Sequence, residues 1–414
     1  MTTDTGDYDT IIIGAGPAGL FCALQAAAPG RKILILEKKP ACGRKLLITG
    51  SGQCNLTHGG NIREFLARYG DHGAFLRPAL LGFTNRDLIA FFESRGLDLE
   101  TDENGKVFPA TRKAADVLDL LLRECRERGV RVRCGEAVIA VERTDGGFLV
   151  TTGAARYTAS RVVIATGGAS YPATGSTGDG YRLAAALGHT VTPVRPALAP
   201  VVVEDYPFAR LAGISFEGVT VSLFRDGRKT RELAGDLLFT HTGLSGPAVL
   251  HLSRYTAAGD ALKVSFLPGM TREGLEKDLL AKFAAHGTRQ VKTILADYGL
   301  PERFVLALLE AAGIPADRAA AHLAKKARGA LIDRLTAFPF GVKAVGGFRE
   351  AMVTAGGVAL EEVDKKTMAS KRVPGLYVIG EVLDVDGDTG GYNLQAAFST
   401  AVAAARAITG AQGR

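Results

Sequence analysis

The sequence has no tryptophan and few cysteines, and the pattern of the cysteines excludes two common uses of thiols. The five cysteines in 414 residues are odd in number and contain no C-x-x-C pair: Cys22, Cys42, Cys54, Cys125 and Cys134. This argues against a disulfide framework and against a thiolate zinc site. Because no other cysteine is near Cys54 in the sequence, we interpret it as a buried loop thiol rather than a redox-active one.

Long apolar runs and a strong excess of one charge are also missing. No apolar segment reaches the roughly 20 residues that a membrane-spanning helix needs. Fifty basic and 43 acidic residues give a formal charge of +7, which is compatible with phosphate-bearing cofactors, an acidic electron donor or nucleic acid and requires none of them. Ile11–Ile13 runs directly into a glycine turn, which predicts a first strand rather than a signal peptide, and a cytoplasmic protein.

The first chemical motif is a strand, a glycine turn and a helix. Tyr8–Ile13 is followed by the turn Gly14-Ala15-Gly16-Pro17-Ala18-Gly19, a small-residue helix and a second strand that ends at Glu37. Gly14 permits the tight turn, Gly16 lets the backbone approach a pyrophosphate, and Gly19 lets the helix pack on the strand. Glu37 is placed to accept hydrogen bonds from ribose hydroxyls, and it would reject the 2′-phosphate of NADP. The motif therefore predicts dinucleotide binding through residues 14, 16–19 and 37.

The segments that follow favour FAD as the dinucleotide. A glycine-rich polar loop over 43–55 suits a long dinucleotide, and a strand ends at Ala165-Thr166-Gly167. A later strand ends at Gly380-Glu381, before a last helix whose amino end can stabilise negative charge on a reduced flavin. Further predicted cofactor residues come from these segments, from the strand over 137–142 and from the acidic loop after 381: Lys38, Arg44, Lys45, Gly52, Gln53, Cys54, Asn55, Val138, Asp384, Gly391, Tyr392 and Asn393.

Four longer motifs give the chain a family resemblance. They are Gly43-Arg44-Lys45 through Ser51–Thr57, then 165–172, 240–247 and 380–393. In these motifs the whole chain resembles the bacterial and archaeal FAD-dependent oxidoreductases of the YhiN/BaiN-like type, which include proposed aminoacetone oxidases and bile-acid-reducing flavoproteins. One departure is Gln53, where many members carry arginine. The resemblance does not fix a substrate.

The resemblance implies an α/β fold, namely a Rossmann-type FAD-binding domain of the glutathione-reductase kind, interrupted by a β-barrel and a helical insertion. The expected boundaries are 1–195 for the first part of the FAD domain, 196–270 for the barrel, 271–335 for the helices and 336–414 for the return through the barrel to the FAD domain. No second strand–G-x-G-x-x-G–helix unit occurs between about 195 and 340. Any NAD(P)H must therefore reach the flavin transiently as an electron donor.

Candidate catalytic groups are His241, Tyr171 and Tyr392, each with a structural alternative. His241 has a side chain suited to acid–base chemistry, but it could equally bond near the helix start at 245–247. For both tyrosines we favour packing. Thr177 and Asp179 are interpreted as local hydrogen-bonding groups, with FAD contact as the alternative. No metal site is predicted, because Asp384 and its acidic neighbours have no EF-hand continuation.

The predicted function is that of an FAD-dependent oxidoreductase for a small or medium organic molecule. Reduction of a carbon–carbon double bond conjugated to a carbonyl, with NAD(P)H as donor, is the favoured reaction. Oxidation of an aminoacetone-like amine by oxygen is the rival. An alternative of another class is an FAD-dependent tRNA-modifying protein or a flavin-stabilised scaffold. We expect a small-molecule substrate, no stable nucleic-acid partner and no membrane partner.

Overall fold

The amino-terminal and carboxyl-terminal stretches of the polypeptide together form one unit, and the stretch between them forms a second unit. A computed structural model describes residues 6–410. The first unit comprises Met1–Pro196 and Ala351–Arg414, and the second comprises Ala197–Glu350. Residues 1–5 and 411–414, which the sequence analysis includes in its first and last domains, lie outside the described residues. Within 6–410, no helix has the length and apolar character needed to cross a membrane.

The strands and helices of residues 6–410 are numbered in chain order. The strands are β1 Asp7–Ile13, β2 Ile33–Glu37, β3 Thr57–His58, β4 Leu99–Thr101, β5 Lys106–Pro109, β6 Arg131–Cys134, β7 Val138–Thr144, β8 Gly147–Thr152, β9 Arg156–Ile164, β10 Arg195–Ala197, β11 Val201–Val203, β12 Ser215–Arg225, β13 Arg228–Phe239, β14 Gly243–Ser245, β15 Ala261–Ser265, β16 Phe338–Val345, β17 Val353–Ala355 and β18 Leu376–Val378. The helices are α1 Pro17–Ala26, α2 Gly73–Gly82, α3 Asn85–Glu93, α4 Ala114–Glu127, α5 Asp179–Ala186, α6 Pro247–Ser253, α7 Arg272–Ala285, α8 Val291–Ala296, α9 Glu302–Ala311, α10 Lys325–Ala337 and α11 Tyr392–Thr409.

The main sheet of the first unit is organised around β9. One edge of β9 pairs in parallel with β1, which in turn pairs with β2, and β6 follows β2. The other edge pairs antiparallel with β8 over its first half and parallel with β18 over its second half. The central parallel strands contain apolar runs, as expected for strands covered on both faces: Ile11–Ile13 in β1, Ile33–Leu36 in β2 and Val162–Ile164 in β9. The edge strand β6 instead carries Arg131 and Arg133. The carboxyl ends of the parallel strands meet at one edge of the sheet.

Helix α1 packs tightly against the turn that precedes it and against α11. Gly19 has no space for a side chain, because a Cβ atom there would lie 2.0 Å from the carbonyl oxygen of Gly14. The ring of Phe21 contacts the rings of Phe91 and Phe398 edge-on, at centroid distances of 4.8 and 4.9 Å. Phe21 of α1, Phe91 of α3 and Phe398 of α11 thus belong to one apolar core that the amino-terminal and carboxyl-terminal stretches share.

The second unit contains a closed six-stranded barrel in the order β11-β14-β13-β12-β15-β16. Along β12 the buried positions alternate, which directs every second side chain into the barrel. Phenylalanine rings fill the core of this unit: Phe304 of α9 lies 4.8 Å from Phe216 and 4.5 Å from Phe266, centroid to centroid. Helices α7–α10 occupy much of the stretch between β15 and β16, so the chain returns to the barrel only with β16.

Residues 56–122 lie in the predicted first part of the FAD domain, but the sequence analysis assigned no strand or helix to them. Strands β3, β5 and β4 make a small antiparallel sheet, and α2, α3 and α4 accompany it. Helix α3 begins with a capping box, in which the Thr84 hydroxyl accepts from the Asp87 amide and the Asp87 carboxylate accepts from the Thr84 amide. Such reciprocal bonds satisfy two amide groups that the helix itself cannot.

Candidate cofactor cleft

A cleft opens at the edge where the parallel strands end. Ile13-Gly14 after β1, Glu37 at the end of β2, Ala165 after β9 and Ile379-Gly380 after β18 all line it. It holds about 1430 Å³ of empty space, part of it open to solvent, and all its lining residues belong to the first unit. In open α/β sheets, ligands bind at this edge, where the direction of chain connection reverses.

The glycine turn leaves free space in front of helix α1. A Cβ atom on Gly14 would lie 2.5 Å from the carbonyl oxygen of Ala165, so packing of the protein itself excludes a side chain there. A Cβ atom on Gly16 would meet nothing within 4 Å. Gly16 is the N-cap residue of α1 and lines the cleft, so this free space lies directly in front of the helix. The amino end of a helix carries a partial positive charge and unpaired amide groups. The space at Gly16 therefore fits a pyrophosphate, which is what FAD would place there.

Glu37 is held in position by two backbone amides. Its Oε2 accepts from the Ala15 amide at 2.9 Å, and its Oε1 accepts from the Lys39 amide at 2.8 Å. Each carboxylate oxygen retains a second lone pair, which can accept from a ribose hydroxyl. Nearby, the Glu136 amide donates to the Glu37 carbonyl at 2.9 Å. Glu136 and Val138 line the same part of the cleft, and the sequence analysis missed Glu136.

Two of the three predicted basic residues in the cleft are paired with carboxylates. Lys38 bonds to Thr177 and Asp179, and the Nζ of Lys45 lies 3.0 and 2.8 Å from the two oxygens of Glu381. Arg44 is exposed and lines the cleft. Asp179 also bonds to Thr177 and also lines the cleft, so the structure gives this carboxylate both a local bond and a place beside the cofactor site.

Glu381 connects three segments of the chain at the cleft. Besides Lys45, its Oε1 accepts from the Thr354 amide at 3.0 Å. The Thr354 hydroxyl oxygen in turn accepts from the amides of Ala169 and Ser170 at 2.9 and 3.1 Å. The loop after β9, strand β17 and the loop after β18 are therefore fixed relative to one another by backbone-to-side-chain bonds.

The predicted cofactor residues divide into those that line the cleft and those that lie elsewhere. The lining group is Gly14, Gly16, Pro17, Ala18, Glu37, Lys38, Arg44, Lys45, Val138, Ala165, Thr166, Gly167, Gly380, Glu381 and Asn393. The lining does not include Gly19, Gly52, Gln53, Cys54, Asn55, Asp384, Gly391 or Tyr392. A direct role in cofactor binding stays a prediction for every residue in both groups.

Several residues outside the lining hold segments that are part of it. The side chain of Asn55 donates to the Thr57 carbonyl at 2.9 Å and accepts from the Gly391 amide at 3.1 Å, which fixes the turn before α11. Asp384 accepts from the Thr192 hydroxyl at 2.8 Å. Cys54 is fully buried, and burial raises the pKa of its thiol to about 12. The thiol therefore stays protonated at neutral pH.

The three candidate catalytic side chains lie in different surroundings. The Tyr392 ring stacks on His58 at a centroid distance of 5.5 Å, and burial raises the pKa of its phenol. Tyr171 is half-buried and has a left-handed backbone with φ of 53°. His241 is exposed in the second unit, between β13 and β14. Neither tyrosine lines the cleft.

Several residues of the lining, most of them apolar, were not among the predicted cofactor residues. Leu46 and Thr49 lie within the predicted loop over 43–55, Leu383 lies within the motif over 380–393, and Leu394 directly follows that motif. Leu76 of α2 and Met352 before β17 come from segments with no glycine or charge pattern. No local signal in the sequence distinguishes these two from ordinary core or surface residues.

The fold and the cleft define a Rossmann-type FAD-binding flavoprotein of the oxidoreductase class. Residues 8–407 match the family described as the HI0933-like protein Rossmann domain. The chain belongs to this family, to which the YhiN/BaiN-like proteins of the sequence analysis correspond.

Proteins that are similar to this chain over nearly its whole length include two enzymes of comparable length and a solved flavoprotein structure. The chain is 36% identical over 408 residues to a ribosomal RNA dihydrouridine synthase of Escherichia coli, covering 98% of this chain and 99% of that one. It is 34% identical over 408 residues to a 3-dehydro-bile acid delta(4,6)-reductase of Clostridium scindens, covering 96% and 98%. A 3-ketosteroid delta1-dehydrogenase from Sterolibacterium denitrificans shares the fold, with a TM-score of 0.51, 14% identity and coverage of 99% and 100%.

Proposed function

We propose that the protein uses FAD to reduce a carbon–carbon double bond conjugated to a carbonyl group. The observation that carries this proposal is the chemistry common to two relatives that match nearly the whole chain. Dihydrouridine differs from uridine by two hydrogens across a ring double bond conjugated to a carbonyl. The delta-4 and delta-6 double bonds of a 3-oxo bile acid are conjugated to its 3-oxo group. The two substrates differ in size and polarity, but the reacting group is the same.

The cleft supplies groups for each part of FAD. The turn at Gly16 and the amino end of α1 would hold the pyrophosphate, Glu37 would hold the ribose, and the ends of β9 and β18 would line the rest. FAD held by these residues would supply hydride-transfer chemistry for the conjugated double bond, with NAD(P)H as the source of both electrons. NAD(P)H as the donor is part of the proposal.

The protein itself would exclude water and provide a proton for the α-carbon. Leu46, Leu76 and Leu383 contribute apolar side chains to the lining of the cleft, which would limit the access of water to a hydride path there. Tyr392 and Tyr171, which belong to the same unit as the cleft, are the candidate proton donors. Burial raises the pKa of the Tyr392 phenol further above neutral, so the group carries a proton that it could give up. Single Phe replacements of the two tyrosines would identify the donor by loss of substrate reduction with flavin reduction intact.

We propose uridine in ribosomal RNA as the first substrate and an unsaturated oxo acid as the second. The net charge of +7 favours a polyanion. Turnover requires only a transient complex, so this proposal is compatible with the expectation of no stable nucleic-acid partner. Bile-acid-like acids remain as the second candidate because the relative that carries this name matches the chain over a similar extent.

The experiment offers both substrates and an amine to the same FAD-loaded protein without oxygen. The flavin is first reduced with NADH or NADPH, and then an in vitro ribosomal RNA transcript or a 3-oxo-delta-4 steroid acid is added. We expect flavin reoxidation together with a mass gain of two hydrogens in the uridine or the steroid. If neither compound reoxidises the flavin, while aminoacetone bleaches the oxidised flavin and oxygen then yields peroxide, the protein is an amine oxidase instead.

A further inference from the structure

Two thiols that are far apart in the sequence lie in contact in the first unit. The Sγ atoms of Cys42 and Cys134 are 3.4 Å apart, although 92 positions separate the two residues. Both are free thiols, and Cys42 is buried whereas Cys134 is exposed. A disulfide bond is about 2.0 Å long, so the two sulfur atoms would have to approach by only about 1.4 Å to form one. The fold therefore presents a pair of adjacent thiols, one of which is open to solvent.

The two thiols lie on segments that contribute to the same part of the cleft. Cys42 lies between Ala41 and Gly43, both of which line the cleft. Cys134 ends β6, where it is the pairing partner of Glu37 at the end of β2. We call the part of the cleft beside Glu37, where the ribose is predicted to bind, the ribose end. A bond between the two thiols would join the loop after β2 to the end of β6 at the ribose end.

Backbone hydrogen bonds hold the two segments on either side of the thiols. The amide of Gly135, next to Cys134, donates to the Lys39 carbonyl at 2.8 Å. The amide of Gly43, on the other segment, donates to the Ala15 carbonyl of the glycine turn at 2.9 Å. Because these bonds fix the backbone close to each thiol, the contact between the two sulfur atoms is a consequence of the backbone arrangement.

We propose that a peroxide oxidises Cys42 and Cys134 to a reversible disulfide that covalently fixes the ribose end of the cleft. The exposed Cys134 reacts first: its sulfur attacks one peroxide oxygen, the O–O bond breaks, and Cys134 becomes a sulfenic acid with release of one water. The Cys42 sulfur then attacks the Cys134 sulfur, and the sulfenic oxygen leaves as a second water with the proton of Cys42. Two thiols and one hydrogen peroxide thus give one disulfide and two waters.

The difference in burial sets the order of these two steps. Burial, followed by the contact with Cys134, raises the pKa of the Cys42 thiol. Cys42 is therefore protonated and shielded at neutral pH, and it reacts only with the sulfenic acid that it already contacts.

The disulfide would act on both folding and cofactor binding. It closes a loop of 92 positions, and a cross-link of that length removes much chain entropy from the unfolded state. It also restricts the relative motion of the segments that carry Glu37 and Glu136, so FAD has less to order when it binds. Oxidation should therefore stabilise the apo protein and strengthen the binding of FAD.

The chemical test treats FAD-loaded protein, reduced with dithiothreitol and freed of it, with about one equivalent of hydrogen peroxide. Cys42→Ser and Cys134→Ser are compared with Cys125→Ala, which removes a buried thiol outside the pair. Free thiols are then blocked, and the protein is digested without reductant for mass spectrometry. We expect the wild type and Cys125→Ala to yield a peptide pair that joins Cys42 to Cys134 and is lighter by two hydrogens. Cys42→Ser should instead retain a sulfenic acid at Cys134 that dimedone traps, and Cys134→Ser should form no disulfide.

The physical readouts are the Tm of the apo protein and its Kd for FAD. In the oxidised wild type we expect the Tm to rise by roughly 5 °C or more and the Kd to fall several-fold, with both changes reversed by dithiothreitol. Cys134→Ser, which alters an exposed side chain, should show neither change. No readout requires turnover, so the outcome does not depend on which compound the protein reduces.

Three results would overturn the proposed site: a disulfide between two copies of the chain, a bond from Cys42 to Cys125, or further oxidation of Cys134 without any cross-linked peptide. If the bond between Cys42 and Cys134 forms but changes neither the Tm nor the Kd for FAD, the proposed effect on the ribose end is wrong.

Discussion

At the scale of single residues, the three glycines of the first turn are required for different physical reasons. Gly14 and Gly19 are glycine because neighbouring carbonyl oxygens would lie within 2.5 Å or less of a Cβ atom. Gly16 has free space beyond its Cα and an ordinary φ of −80°. The protein alone would accept a side chain at Gly16, so we expect that a ligand rather than packing requires glycine there.

Gly16→Val is expected to fold normally and to lose FAD. Valine suits the extended backbone at this position, but its methyl groups would occupy the pyrophosphate space. We expect an increase in the Kd for FAD of about 100-fold or more, equivalent to about 2.8 kcal/mol. Gly19→Val is the contrasting variant, because its clash with Gly14 should destabilise the apo protein by about 3 kcal/mol. Equal thermal destabilisation of the two apo variants would contradict this distinction.

Glu37→Ala is expected to weaken FAD binding more than Glu37→Gln does. Losing a charged acceptor for the ribose should cost about 1.5–3 kcal/mol, whereas glutamine keeps one of the two acceptor oxygens. Titration of the apo proteins with FAD, followed by flavin fluorescence, measures both affinities. Glu37 also accepts hydrogen bonds from the amides of Ala15 and Lys39, and the loss of these bonds would lower the Tm of the apo protein. Thermal melts without FAD measure that effect separately from the loss of the ribose contact. An unchanged affinity in Glu37→Ala would reject the ribose assignment.

At the scale of elements, the start of α11 shows how a turn distant from the glycine motif shapes the cleft. Gly391 has a φ of 91°, and a Cβ atom there would lie 2.4 Å from the carbonyl oxygen of Thr57. Asn393, Ala396 and Thr400 on the following helix line the cleft. The position of this helix therefore depends on close backbone contact with a segment more than 300 residues earlier in the sequence.

Gly391→Ala is expected to destabilise the protein and to weaken FAD binding together. Left-handed strain of about 1–2 kcal/mol adds to the displacement needed to relieve the contact with Thr57, for a total of about 3 kcal/mol. Gly410→Ala at the other end of α11 is the control, since Gly410 has a φ of 72° and a Cβ atom there would meet nothing within 4 Å. It should cost only about 1–2 kcal/mol and leave the Kd for FAD unchanged. A comparable increase in the Kd for FAD in both variants would show that backbone strain alone weakens FAD binding and that the position of the α11 amino end does not.

The elements that sequence could predict are those with a strong local pattern. The strand–turn–helix from Tyr8 to Glu37 has apolar runs bounded by glycine, and the Rossmann-type fold with a barrel was expected from the longer motifs. Residues 56–128 also contain glycines, but their strands β3–β5 are only two to four residues long and carry no continuous apolar run like that of Ile11–Ile13, so they gave no comparable signal. In the cleft, glycines and charges were identifiable, but Leu76 and Met352 were not, because tertiary packing alone brings them there. The boundaries at 195, 270 and 335 and the cofactor roles of individual residues stay predictions.

At the scale of the whole molecule, FAD binding and folding are linked. The cleft uses strand ends from β1, β2, β9 and β18 together with α11, so it exists only when the first unit is folded. Free FAD at 1,000 times its Kd should therefore add about 4 kcal/mol to the free energy of unfolding of that unit. Calorimetry of the apo protein with increasing FAD measures this as a rising Tm, and at the same FAD concentration Gly16→Val, with a Kd about 100-fold higher, should gain only about 1.4 kcal/mol. A Tm of the wild type that does not depend on FAD would contradict the linkage.

The pairing of β9 with β18 joins strands that the ribosome synthesises far apart in time. When the ribosome has synthesised residue 196, β9 has its partners β1 and β8, but the edge that β18 will occupy is still unpaired. The next 154 residues, Ala197–Glu350, form the second unit before any later cleft residue exists. Gly380, Asn393 and Thr400 come last, so a nascent chain has the glycine turn long before it has the complete cleft. At about 5–20 residues per second, the first part of the flavin site waits on the order of 10 seconds or more for its completion.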